Sequence, residues 1–119
     1  MIGPQEFNPH LMIDARDNLG PELASELVEL FVGELPKALA RIDAGIRARS
    51  GREVVEGAHT IKGMSAQVGL EVLSEYGNVV LSMARIGELQ HVPLLMPGMR
   101  GAADRGLTAL RQFVQASRR

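Results

Sequence analysis

Three residues near the middle of the chain have types and spacing that could do chemistry together. His59, Lys62 and Gly63 are three and four positions apart, the separation that makes side chains neighbours one turn along a helix. A neutral imidazole offers a nitrogen lone pair near pH 7 and is a competent nucleophile toward phosphorus. A lysine ammonium beside it can balance the charge of arriving phosphoryl oxygens. Glycine inside a helix costs about 1 kcal/mol relative to alanine, so Gly63 needs a reason, and room beside the imidazole is one. Gln67 continues the strip a turn further and is a candidate contact for the phosphoryl group or a partner. His59 alone would read as an ordinary surface histidine and Lys62 as an ordinary solvated lysine; their combination with Gly63 singles them out. His10 and His91 stand near helix starts, outside any two-histidine metal spacing. They read as surface residues, and no metal site is predicted.

The elements that must position this strip are legible from their punctuation. Asn8-Pro9 is an N-cap followed by proline at the first helical position, which predicts a short helix over about 9–18, closed by Leu19-Gly20. Pro21 opens a second helix running to about Arg49, with Ala24, Val28, Phe31, Leu35, Ala38 and Ile42 as its apolar seam. Pro36 lies inside it and is expected to kink the helix without stopping it. Ser50 followed by Glu53 is a capping-box pattern that starts a third helix. Its seam is Val54, Ala58, Ile61, Ser65 and Val68, and Gly69 is placed to end it. On that register, at 100° per residue, His59 points away from the seam and Gly63 faces outward. A fourth helix carries Val72, Tyr76, Val79, Met83 and Ile86 as its stripe and ends at Gly87. The fifth has two candidate starts, Pro93 and Pro97, and its later half is fixed by Ala103, Leu107, Leu110 and Val114, fraying near Arg118 and Arg119.

No segment alternates with period two over strand length, so the predicted class is all-α: an antiparallel up-down four-helix bundle with an additional short N-terminal helix. With 119 residues the chain is about one domain long. Residues 1–7 show no periodicity and read as a disordered leader or an expression scar, leaving 8–117 as the bundle. Thirteen basic against fourteen acidic residues provide no global field for nucleic acid or an anionic membrane. No stretch approaches the ~20 apolar residues of a membrane span. Absence of cysteine excludes disulfides and thiolate metal sites and agrees with a cytoplasmic location. Met83, Met96 and Met99 fall at core-like spacing and read as packing. No glycine-rich phosphate loop follows a strand, so nucleotide binding is not expected.

The run Ala58-His59-Thr60-Ile61-Lys62-Gly63-Met64-Ser65-Ala66-Gln67-Val68-Gly69-Leu70 resembles the signature of histidine-containing phosphotransfer domains, Ala-His-x-apolar-Lys-Gly followed by small residues and a glycine. Upstream, Leu30-Phe31-Val32-Gly33-Glu34-Leu35-Pro36 is similar to the family's second-helix stretch with its internal proline. Met64 departs from the small residue more usual after the glycine. The resemblance implies that His59 is phosphorylated at Nε2 with Lys62 and Gly63 as helpers, and Gln67 stands where the family often has Asn or Gln. It implies a carrier without an ATP site or cofactor of its own. It receives a phosphoryl group from the phospho-aspartate of a receiver domain, which holds the Mg²⁺, and passes it to another. Response-regulator receivers and a sensor or hybrid histidine kinase are the implied partners, and a monomer is expected. Docking is expected around His59 on Val55 and Ala66, with Leu11 and Met12 of the first helix. Two other readings are a non-phosphorylated helical adaptor using the same face and the phosphoacceptor region of a larger histidine kinase.

Overall fold

The computed structural model describes residues 3–118, so the expectations for Met1, Ile2 and Arg119 lie outside the described residues. Five α-helices occupy them: α1 (His10–Leu19), α2 (Pro21–Arg47), α3 (Gly51–Gln67), α4 (Glu71–Arg85) and α5 (Met96–Ser117), with a 3₁₀ segment Leu89–Leu94 before the last. Helices α2, α3, α4 and α5 pack in a ring, each on the next and α5 back on α2, while α1 lies on α2. Cross-links give the direction of α5 relative to α2: Arg100 pairs with Asp43, and Arg118 donates to Ser25 Oγ at 2.8 Å. The two helices are therefore antiparallel, as in the up-down bundle read from the sequence.

The α2 and α3 seams are buried as predicted, from Ala24 to Ile42 and from Val54 to Val68. Helix α2 runs on through Pro36. Ser50 Oγ accepts from the Glu53 N–H at 3.3 Å, but only this half of the capping box forms. The Glu53 carboxylate turns to Arg41, 2.6 Å away on α2, and the Ser50 N–H donates to the Gly45 carbonyl at 2.8 Å instead. Both proline starts of the last helix are used: Pro93 sits in the 3₁₀ segment and Pro97 in the first turn of α5.

Helix α4 corrects the sequence reading. Its core face is Leu73, Gly77, Val80, Leu81 and Ala84, one position round from the predicted stripe. Val72, Tyr76 and Met83 pack at the rim of the core, and Ile86 is 74% exposed. The reason is Gly77. A glycine looks like a gap in an apolar stripe, yet here it lets α4 approach α3, so the face that carries it turns inward.

Residues 5–8 are tied to the turn between α3 and α4. The Val72 N–H donates to the Gln5 carbonyl at 3.0 Å and the Asn8 N–H to the Gly69 carbonyl at 2.8 Å. Phe7 meets Phe113 edge to face at 5.9 Å. Asn8 Oδ1 caps the His10 N–H at 3.1 Å. Gly69 has a φ of +82°, a left-handed conformation that favours glycine, and a Cβ there would run into the Asn8 carbonyl. Glu71 accepts from the Gln5 N–H at 2.9 Å and from Asn8 Nδ2 at 3.1 Å; these hydrogen bonds, the backbone one first, hold its carboxyl below the ordinary range. A depressed carboxylate contributes stability above its unfolded pKa, and that contribution is lost as pH falls through the folded value. On acidification, hydrogen-exchange protection of the Val72 amide is therefore expected to fall before that of the α2 and α3 core. Simultaneous loss in all three would show that Glu71 does not govern this segment.

Candidate functional site on helix three

Helix α3 has two opposite faces with different duties. Ala58, Ile61, Ser65 and Val68 point into the core, and His59, Lys62, Gly63, Ala66 and Gln67 are all exposed. The strip expected from the spacing is therefore present on one outward face. Val55, one turn before His59, is half-buried against the core edge.

Two glycines fix the backbone beneath this strip. A Cβ on Gly57 would lie 2.7 Å from Ile42 Cγ1 and 2.9 Å from the Ala38 carbonyl oxygen. One on Gly77 would lie 2.9 Å from the Lys62 nitrogen and 3.1 Å from its Cα. The absence of both side chains lets α2 and α4 close on α3 to either side of His59. Ser74 Oγ also donates to the Lys62 carbonyl at 2.9 Å. The imidazole and ammonium thus rise from a backbone held on two sides.

Gly63 is of the other kind. Nothing lies within 4 Å of where its Cβ would be, so helix packing does not explain it. Gly63→Ala is expected to raise stability by up to about 1 kcal/mol through helix propensity. Gly63→Gln should keep the fold but place a long side chain over the strip and obstruct phosphoryl transfer to His59. Thermal unfolding and labelling of both variants check the pair; a destabilising alanine or a fully active glutamine variant would contradict it.

The three histidines differ in their surroundings. His10 Nε2 lies 3.5 Å from Asp14, and His91 Nδ1 lies 2.8 Å from Glu88. Among the described residues the His59 ring has no carboxylate or hydrogen-bond partner, and Lys62 makes no ion pair. The imidazole is open to a reactant, with a cation one turn away. The described residues contain no group of three or more histidines and acids that could hold a metal.

Around the strip, Gln67 and Met64 line a groove of about 130 Å³ with Leu27, Leu30 and Glu34 of α2. Ala66 borders a cleft of about 380 Å³ with Leu11 and His10 of α1 and Ser74 of α4. Leu11 is 47% exposed, but Met12, expected to share that docking face, is 1% exposed and belongs to the core. The α1 register turns Met12 into the core and leaves Leu11, about 100° away round the helix, at the surface. Sequence reasoning missed Leu23, Leu27 and Leu30, all exposed. Their signal was available: leucines at steps of four and three, each one position before a seam residue.

The model of the Hpt domain matches residues 26–119, well over half of the chain. The chain belongs to the Hpt domain family. Its fold is similar to that of histidine-containing phosphotransfer protein B (HptB) from Pseudomonas aeruginosa PAO1, with a TM-score of 0.87 and 22% identity over 96% of this chain and 98% of that one. It is also similar to the histidine-containing phosphotransfer domain of ArcB from Escherichia coli, with a TM-score of 0.75 and 20% identity over 90% and 91% of the two chains. No curated protein matches by sequence. As an Hpt domain the chain has a phosphotransfer role in two-component signalling, in which such domains are phosphocarriers that meet receiver domains and histidine kinases. Among the described residues no helix is long and apolar enough to cross a membrane.

Proposed function

We propose that this Hpt domain accepts a phosphoryl group on Nε2 of His59 from the phospho-aspartate of one receiver domain and returns it to the aspartate of another. The observation that carries the reading is the unpaired, exposed His59 ring with open space at Gly63 and Lys62 one turn along. In the forward step the Nε2 lone pair attacks phosphorus in line, the N–P bond forms, and the P–O bond to the aspartate breaks as its carboxylate leaves with the electron pair. In the return step a receiver carboxylate oxygen attacks and Nε2 leaves. Transfer of this kind is mostly positioning and charge neutralisation. Mg²⁺ held by the receiver would supply charge neutralisation there, and Lys62 serves the phosphoryl oxygens as the group comes to His59. Leu11, Val55, Ala66 and Gln67 form the contact area beside the nucleophile, and the carrier works as a monomer in the cytoplasm.

The test is incubation with receiver domains carrying a labelled phosphoryl group, followed by location of the acid-labile label. Label on His59 supports the carrier; stable binding without transfer, across receivers that transfer elsewhere, would favour the adaptor. The variant Lys62→Ala is expected to slow transfer by about 10-fold, less than the roughly 10²–10³-fold cost of losing a donor in a water-excluded site because Lys62 is exposed, while receiver binding stays unchanged. Equal single-turnover rates for variant and parent would return Lys62 to the status of a solvated lysine.

A further inference from the structure

The outer face of α2 combines two rows that the chemistry at His59 does not use. Leu23, Leu27 and Leu30 form an exposed apolar row, Leu30 at 66% exposure. Each is preceded by a glutamate, so Glu22, Glu26 and Glu29 form a parallel acidic row, fully on the surface. Among the described residues none of the three is in an ion pair; Glu34 is the first along α2 to find one, with Lys37 at 3.4 Å. No lysine or arginine occurs from Pro21 to Pro36. The whole chain carries a net charge of only -1, so this negative field is local. Basic residues gather at the other end of α2 and just beyond it, at Arg47, at Arg49 in the turn and at Arg52 in the first turn of α3.

The two rows join the His59 strip. Leu27 and Leu30 share a groove with Met64 and Gln67, and Gln67 lies two turns along from His59. On the acidic side, Glu26, Glu29, Leu30 and Gly33 line a second cleft, of about 410 Å³. Gly33, like Gly63, is a helix-interior glycine with nothing within 4 Å of a Cβ. Each glycine lowers its helix's intrinsic stability and leaves open surface where a partner's backbone can come close, Gly33 in the acidic cleft and Gly63 beside Lys62.

We infer that this face selects its receivers by charge: the docking element it fits has an apolar centre that covers Leu27, Leu30 and Met64, with lysine or arginine along the flank that meets Glu22, Glu26 and Glu29. The inference rests on the carrier reading for the kind of partner, and complementary charge acts mainly on the rate of encounter and on rejection of wrong partners. Receivers with an acidic flank are repelled before His59 is in reach.

The experiment measures association of the full chain with each purified receiver domain of its source organism by stopped-flow fluorescence at 20 and 200 mM salt. The probes are the parent and the double variant Glu26→Lys/Glu29→Lys. For the receivers that bind, the reversal is expected to lower the association rate at low salt at least 10-fold and to flatten its salt dependence. A receiver whose basic flank is reversed to glutamate should bind the double variant faster than the parent. Rates within twofold for parent and variant would overturn the proposal. So would low-salt sedimentation showing that the charge-sensitive partner is a second copy of this chain. Chemical labelling of His59 with phosphoramidate, which needs no docking, runs alongside. Failure of that labelling counts against the phosphoacceptor alone, and charge-dependent binding still decides the surface.

Discussion

His59→Gln is expected to abolish phosphoryl labelling by receivers completely while leaving the helical circular dichroism intact. The substitution removes the only lone pair on the exposed strip that can attack phosphorus. It leaves the fold alone because the side chain is exposed and makes no hydrogen bond among the described residues. Surface changes of this kind stay within about 0.5 kcal/mol, which for a domain of this size moves the midpoint by roughly 3 °C or less. The same labelling of His10→Gln and His91→Gln should match the parent, since both rings already lean on a carboxylate. Residual label in the His59 variant would relocate the acceptor and remove the basis of the carrier reading.

The second large effect belongs to Gly77→Ala, which is expected to destabilise the domain by about 1–3 kcal/mol, the usual range for overpacking. The new methyl would press on the backbone of Lys62 at 2.9 Å, and backbone cannot rotate away as a side-chain tip can. Helix propensity pulls the other way by up to about 1 kcal/mol, so the sign itself reports how tightly α4 sits on α3. Paired with Gly63→Ala, the same chemical change on neighbouring helices should move stability in opposite directions. Denaturant unfolding of the two variants measures this, and a Gly77→Ala protein as stable as the parent would mean that the helices are further apart than 2.9 Å implies.

The glycines show what sequence reasoning can reach. Register alone turned Gly63 outward, because its own helix fixes its direction. The duty of Gly77 depends on another helix, and without that neighbour it looked like a break in a stripe, which displaced the predicted α4 face by one position. The caps were readable for a related reason: Ser50 with Glu53, and Gly69, act within a few residues of themselves. The other arm of the capping box failed because Arg41, twelve residues away, competes for Glu53. Likewise the α2 seam was plain, but the second leucine row beside it acquires meaning only when Met64 and Gln67 are seen across the groove. Met12 went wrong because Leu11, Met12 and Ile13 follow one another in a short helix and leave its register undetermined, which burial of Met12 in the core settled.

The clamp of Gly57 and Gly77 on α3 bears on how long a partner stays. A binding site that must order itself on contact loses conformational entropy at every encounter, whereas a preformed one loses little. Here the helix that carries His59 is closely packed on both sides in the free chain, so a partner has little ordering of α3 to wait for on entry and little to undo on leaving. Contact free energy that is not offset by such ordering goes into affinity, so less docking area is needed to hold a partner on this face.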